Sequence, residues 1–296
     1  DSLSMNTKWN DGKDKQVKAP VSLLISAFAN VNNINKSLTP YFDHSKPHAF
    51  YYIDLADGEK RLGASSIAQV YQQLGKYTPD VSDVNTIKSF WDLIQASITD
   101  DLISAYHDIS DGGLFVTLLE MCMASQCGLI ADLDFSEQPA LNILFSEELG
   151  VVVTVEESKQ KQFNKLVQSS ELKDHIYVLG ESDADLQSLE FRHNQTLIFT
   201  QNINKLHKKW ALTSHLMASL RDNPETCDQE YSLIDKDNKG LNPKVEFEFD
   251  QSFIAPYLNL QKPKIAILRE QGVNGQKEMA MAFYKSGFEC HDVHMQ

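Results

Sequence analysis

Ala105–Gly113 reads AYHDISDGG and runs directly into LFVTLLEMCMAS at 114–125. A short strand candidate at Leu102–Tyr106, a pair of glycines and a helix over Gly113–Ser125 that is apolar almost all round make a strand, turn and buried helix in succession. A helix with no polar face must be covered on several sides, so a sheet and further helices are expected around it. Working outward, Leu129–Leu133 and Val151–Val155 read as further strands flanking a short helix around Ile143–Leu149. Upstream, Val21–Val31 and Ala49–Leu55 read as buried strands separated by a connection at Asn32–Pro47. Short β-rich runs alternate with helical patterns over most of the chain, which predicts a mixed α/β fold.

The helical spacing is clear at Ala64–Leu74 (Ile67, Val70, Tyr71, Leu74) and at Val84–Ile98 (Ile87, Phe90, Trp91, Ile94), with Gly75 placed as a C-cap glycine. Glu157–Ser169 and Lys205–Arg221 read as solvent-facing helices, the latter with Leu206, Trp210, Leu212, Leu216 and Leu220 on its apolar side. Asp222–Pro243 is polar and turn-rich, hence a connector. The tail then changes character. Lys264–Arg269 (KIAILR) is a strand candidate, QGVNG at 271–275 a turn, Gln276–Lys285 a helix and Phe288–Val293 a second strand. That is one βαβ unit, too small to bury itself. The chain opens on Asp1 rather than Met, and the expectation is a piece of a longer protein.

The 296 residues carry 27 Lys plus Arg against 41 Asp plus Glu, a net charge of −14, with a pI near 5.0. Such a surface repels phosphate backbones and anionic lipid, so neither nucleic-acid nor membrane binding is expected. Small anions remain admissible where a metal ion, a helix N-terminus or a local cation overrides the global field. Cys122, Cys127, Cys227 and Cys290 form no C-x-x-C pair and no secretory segment opens the chain, so reduced thiols in a cytoplasmic protein are expected. No apolar run approaches the ~20 residues that span a bilayer.

His107-Asp108-Ile109-Ser110-Asp111-Gly112-Gly113 is the sharpest chemical signal. Asp108 at the end of a strand can offer carboxylate oxygen to Mg²⁺, a cation that takes one or two carboxylates plus phosphate oxygens and water. Ser110 can donate its hydroxyl to a phosphate oxygen, while Gly112 and Gly113 let backbone N–H groups at a helix N-terminus come close. A plainer reading fits the residues equally: Ser110 or Asp111 as N-cap, with the glycines making the turn. His107 is either a base or a hydrogen-bonded structural residue. Glu147 and Glu148, adjacent at a helix end and so pointing to different faces, read as solvated residues or as a pair of which one faces a site and the other water. Asp1–Met5 (DSLSM) is a second small polar cluster that reads as a turn or as a contact to phosphate or metal, and the turn Gly272–Gly275 before the tail helix reads equally as an anion holder or as a turn with Asn274 as N-cap. No G-x-S-x-G or G-x-C-x-G elbow and no zinc spacing is found.

Four blocks in order carry a family resemblance: AYHDISDGG with the helix behind it, Phe145–Val155 (FSEELGVVVTV), Leu220–Glu230 (LRDNPETCDQE) and Lys264–Met295 (KIAILREQGVNGQKEMAMAFYKSGFECHDVHM). With DSLSM, the following Trp9 and PVSLLISAFANV, they resemble the large, single-chain phosphoribosylformylglycinamidine synthases of purine biosynthesis. HDxSDGG recurs in relatives such as aminoimidazole ribonucleotide synthetase, whereas LRDNPE leading into LREQGVNG points to the fused synthase.

The resemblance implies an α/β (α+β) architecture in four parts. Residues 1–44 would end a synthetase-like N-terminal half-domain, and 48–200 would form an aminoimidazole-ribonucleotide-synthetase-like C-terminal domain with a mixed sheet and flanking helices. Residues 201–262 would be a helical connector, and 263–296 the first βαβ of a class I glutamine amidotransferase domain. It implies a carbon–nitrogen ligase acting on formylglycinamide ribonucleotide, ATP and glutamine, monomeric at full length. On it, Asp108 matches a Mg²⁺ ligand and Ser110, Gly112 and Gly113 a nucleotide (ATP or ADP) site that is either catalytic or a structural holder. Ile109 stands where relatives often carry Arg. The glutaminase Cys, His and Glu would lie beyond Gln296, leaving no catalytic residue in this stretch. A non-catalytic nucleotide-binding module of the same enzyme and another member of the synthetase superfamily are the alternatives.

Overall fold

A computed structural model describes residues 6–18, 25–236, 240–246 and 260–295. The chain divides into two compact units, 1–236 and 237–296. In chain order the first unit holds β1 (Asn6–Asn10), β2 (Asp14–Lys18), β3 (His48–Asp54), α1 (Ser66–Val70), α2 (Val84–Thr99), β4 (Ala105–Asp108), α3 (Gly113–Ser125), β5 (Gly128–Asp132), α4 (Ala140–Phe145), β6 (Gly150–Glu156), α5 (Glu157–Gln168), β7 (Ile176–Asp183), β8 (Ser188–His193), β9 (Thr196–Asn202), α6 (Ile203–Arg221) and α7 (Pro224–Ser232).

Seven strands form one mixed sheet in the order β4-β6-β3-β7-β5-β8-β9, antiparallel except where β5 runs parallel to β8. All seven residues of β3 are buried. Side chains alternate across a strand, so Phe50 and Tyr52 join one core with α3 while Tyr51 and Ile53 join another with α2 and α5. Val152 of β6 likewise faces the first core, and Val151, Val153 and Val155 the second. Helices on both faces explain why AFYYIDL and GVVVTV read as unbroken apolar runs. The β3–β7 register slips between Phe50 and Tyr51, leaving Leu179 as the extra residue. Gly180 follows it at φ +155, where a Cβ would stand 2.0 Å from the Ile130 carbonyl oxygen.

Several elements differ from their sequence reading, each for a local reason. The strand expected at 21–31 falls partly outside the described residues; its described part, 25–31, is irregular and exposed. No described strand pairs with it, and an unpaired apolar run has no sheet on which to bury its side chains. The helix expected over 64–74 shrinks to Ser66–Val70 and is capped by Tyr71, not Gly75. Gln72 turns at φ +53 and the chain doubles back, so that the Ala64 N–H donates to the Leu74 carbonyl at 2.7 Å. The strand expected from Leu102 begins at Ala105, because Leu102 and Ile103 already lie in the second core.

Of the apolar side assigned to α6, Leu206 is buried while Trp210, Leu212, Leu216 and Leu220 are exposed. The connector after it holds α7, a nine-residue helix that starts as capping rules prescribe, with the Asn223 side chain accepting from the Glu225 N–H and Pro224 in the first turn. The strands β7, β8 and β9 have no counterpart in the reading, since polar residues interleave their apolar ones.

In the second unit β10 (Lys264–Arg269), α8 (Gln276–Lys285) and β11 (Glu289–His294) form a parallel βαβ with Ile265 opposite Cys290. Gly275, not Asn274, precedes α8, with no side-chain cap. Among its described residues only Ile267 is fully buried, as a single βαβ dictates. No helix among the described residues is long and apolar enough to cross a membrane.

His48 gives the first unit a pH signature. Its ring is buried, with Nδ1 2.8 Å from the Lys46 carbonyl oxygen and Nε2 without a hydrogen-bond partner among the described residues. Burial pulls its pKa below the ordinary 6.5, against the opposing pull of the Lys46 carbonyl, Glu156 and Asp43. The unfolded chain therefore takes up this proton first as pH falls, so the stabilisation is complete above 6.5 and lost below it. Thermal unfolding between about pH 7 and pH 5 should show Tm falling with pH, and His48→Gln should flatten that slope.

Candidate functional site

The turn at 109–113 joins the end of β4 to α3. Three hydrogen bonds hold it: Ile109 N–H to the Gly150 carbonyl at 2.8 Å, Gly112 N–H to Glu147 Oε1 at 2.8 Å and Gly113 N–H to the Ser110 carbonyl at 2.9 Å. Gly112 (φ +88) and Gly113 (φ +66) occupy the left-handed region. A Cβ on Gly113 would stand 2.7 Å from the carbonyl oxygens of both Leu144 and Ser146. The glycines thus let the helix start sit directly on the segment 144–150. Their N–H groups are engaged inside the protein, Gly112 by Glu147 and Gly113 by the Ser110 carbonyl. The capping alternative changes: neither Ser110 nor Asp111 caps α3, whose Gly112 N–H is served by Glu147 from another loop.

What the turn leaves exposed is Asp108, with 70% of its side chain accessible, together with Ser110 and Asp111. Ile109 between them packs against the first core. Asp108 is further steadied through its carbonyl, which accepts from Thr117 Oγ1 at 3.3 Å. His107 proves to be a hydrogen-bonded structural residue. Its Nε2 lies 2.7 Å from Glu120 Oε2, and the other oxygen of Glu120 accepts from Trp210 Nε1 at 2.9 Å.

Glu147 and Glu148 are where the sequence reading misses most. The helix α4 stops at Phe145, so both lie in the extended link to β6. Glu148 is almost wholly buried and accepts from the Arg61 backbone N–H, Nε and Nη2, the last at 2.9 Å. That ion pair raises the Arg61 pKa further. Glu147 Oε1 accepts at 2.8 Å from the Ser66 N–H as well as from Gly112. The loop that follows β3 carries a second buried pair: Asp54 accepts from Lys60 Nζ at 2.8 Å and from the Ala56 and Gly58 N–H groups. Asn142 then donates to the Lys60 carbonyl. Nothing local to EE at 147–148 signals this, because the partner Arg61 is remote in sequence.

The donor set suits Mg²⁺ only in company with a ligand. No group of three or more His, Cys, Asp or Glu is poised for a metal among the described residues. Exposed carboxylates on either side of a serine hydroxyl, Asp108 and Asp111 about Ser110, match a cation that takes one or two carboxylates and completes its shell with phosphate oxygens and water. Burial pushes the Cys122 and Cys127 thiols up, which suits packing and not nucleophilic chemistry. The DSLSM cluster lies outside the described residues.

Two substitutions test this construction. Gly113→Ala places a methyl against two carbonyls at a positive φ and should destabilise the first unit by roughly 2–4 kcal/mol in urea unfolding. Arg61→Ala strands the buried Glu148 carboxylate and should cost about 2–3 kcal/mol, with Arg61→Lys recovering only part, since lysine cannot match the two-pronged contact.

Three protein families match the chain in order. An FGAR-AT PurM_N-like domain matches residues 1–30, the AIR synthase related protein C-terminal domain matches 55–189, and a CobB/CobQ-like glutamine amidotransferase domain matches 262–296. Among solved structures, PurL of Thermotoga maritima complexed with FGAR aligns at 14% identity and TM-score 0.48, covering 58% of this chain and 30% of that one. The same protein complexed with ATP aligns at 13% and 0.45, covering 58% and 27%. HypE of E. coli aligns at 20% and 0.37, covering 52% and 48%. The chain spans less than a third of the length of the PurL chains it matches. The three domain matches together take in about two-thirds of the residues and support reading the chain as part of a phosphoribosylformylglycinamidine synthase (FGAR amidotransferase).

Proposed function

We propose that this chain serves the ATP- and glutamine-dependent ligation of de novo purine biosynthesis, in which formylglycinamide ribonucleotide becomes formylglycinamidine ribonucleotide, and that its part is a nucleotide and Mg²⁺ site at the β4–α3 turn. The four-part division at 1–44, 48–200, 201–262 and 263–296 belongs to the same reading, as does a cytoplasmic location, in keeping with four free cysteines. The observation that carries the site is the exposed pair Asp108 and Ser110 on a turn whose every backbone anchor is internal.

Asp108 would hold the metal and Ser110 would donate to a phosphate oxygen. Bound there, Mg²⁺ would offset phosphate charge. The chain's own work is positional. Glu120 holds the His107 ring, Thr117 the Asp108 carbonyl, and Glu147 the start of α3. Gly113 lets the start of α3 fit under 144–146, and Gly112 brings its N–H to Glu147, so that the two glycines set the turn at which the nucleotide would sit. A second reading, a nucleotide held purely to stabilise the fold, draws on the same internal anchoring, which suits a static holder.

Calorimetric titration of the chain with ADP and Mg²⁺ tests the site. Binding should weaken by about tenfold or more in Asp108→Ala and less in Ser110→Ala. Unchanged affinity in Asp108→Ala, or no binding by the parent chain, would overturn the assignment. Nucleotide should also raise Tm of the parent chain more than that of Asp108→Ala, as linkage requires of a ligand held through Asp108.

A further inference from the structure

Glu147 holds a position that neither the family matches nor the exposed pair assigns. One carboxylate oxygen, Oε1, receives two backbone N–H groups from separate loops at 2.8 Å each: Ser66, at the start of α1, and Gly112, at the start of α3. Its neighbour Glu148 points the opposite way and is saturated by Arg61 of the same β3–α1 loop. In extended backbone successive side chains diverge, so the pair can clamp two loops at once.

The consequence falls on Ser110, beside Asp108. Their turn is anchored at its start by Ile109 N–H on Gly150, a backbone bond that no side-chain change removes. At its other end the anchor is Glu147 on Gly112. Between these two points Ser110 has no tertiary bond of its own backbone N–H among the described residues, and its carbonyl is turned inward to Gly113. The direction in which Ser110 faces solvent, relative to an Asp108 fixed in β4 by its pairing with Val151, therefore depends on where Glu147 holds Gly112. A charge-assisted acceptor serving two amides is a strong anchor, and the positive end of α3 adds to it.

We infer that Glu147 is a positioning residue that sets the β4–α3 turn for metal-bound nucleotide, and that it ties this turn to the loop at 61–66. The inference rests on the nucleotide reading of Asp108 and Ser110. Glu147 touches neither metal nor nucleotide and acts through the Gly112 amide. Gln at this position keeps an oxygen acceptor, whereas Ala removes it.

The test measures ADP affinity of the chain as a function of Mg²⁺ concentration for the parent, Glu147→Gln and Glu147→Ala, with Val167→Ala as a control. Val167 is buried in the second core, on the opposite face of the sheet from α3, so its truncation lowers stability without reaching the turn. Glu147→Ala should weaken Mg-dependent ADP binding by about tenfold and shift its Mg²⁺ midpoint upward, the size expected when the support of a ligand is lost. Glu147→Gln should recover most of both. Amide exchange at Gly112 and Ser66 should accelerate together in Glu147→Ala and stay slow in Glu147→Gln. The inference fails if Glu147→Ala lowers Tm but binds as the parent does, if Glu147→Gln behaves as Ala does, or if Val167→Ala shifts the Mg²⁺ midpoint equally. A parent chain that binds no ADP, or an Asp108→Ala chain that binds normally, would instead bring down the nucleotide reading, and this inference with it.

Discussion

The close approach of Gly113 to the carbonyls of Leu144 and Ser146 is the constraint on which the candidate site depends. A methyl group would not fit between them, and no non-glycine residue adopts φ +66 cheaply in its place. Because α3 starts in that contact, the segment 144–150 becomes a floor for everything above it. Gly150 takes the Ile109 N–H, Leu149 takes the Leu55 N–H, Glu147 takes Gly112 and Ser66, and Glu148 takes Arg61. The two loops that rise from β3 and β4 thus share one support, which begins where α4 ends and finishes as β6 enters the sheet.

The buried ion pairs under these loops are better understood as fixing geometry than as adding stability. Taking Asp54 and Lys60 out of water is costly, and their attraction at 2.8 Å offsets that cost only because Asp54 also accepts two backbone N–H groups. An apolar pair of similar volume could stabilise the fold as well. It could not dictate the path of residues 55–61, which carry backbone donors that need acceptors at definite points. The same holds for Glu148, whose two oxygens fix both the backbone and the guanidinium of Arg61.

Legibility in the sequence follows the range of the forces involved. The helix Gly113–Ser125 and the tail elements 264–269 and 276–285 stand where the pattern places them, because apolar periodicity and flanking glycines are local signals. The strands β7 to β9 escape because their residues are buried only in part, so polar residues interrupt the alternation. The short α1 escapes because a tertiary bond, Ala64 to Leu74, overrides a good helical pattern. At the site, HDISDGG marks the location, while the roles within it divide in a way the motif cannot reveal. Whether a glycine N–H meets a ligand or a protein carboxylate depends on Glu147, and nothing near Gly112 in sequence announces it.

That division bears on how the site communicates with the rest of its unit. Asp108 follows His107, whose ring is held by Glu120 of α3, and Glu120 in turn accepts from Trp210 of α6. A carboxylate with one oxygen on each partner transmits displacement, since moving the α6 indole pulls on the same group that orients the histidine. Trp210 is half exposed, and its indole N–H bond adds to the buried Ile203 and Leu206 in holding α6 against α3. The turn is therefore supported from two directions by two glutamates that a charge count of the surface would have treated alike. Glu147 holds its far end to the floor, and Glu120 ties its near end to a helix outside the sheet.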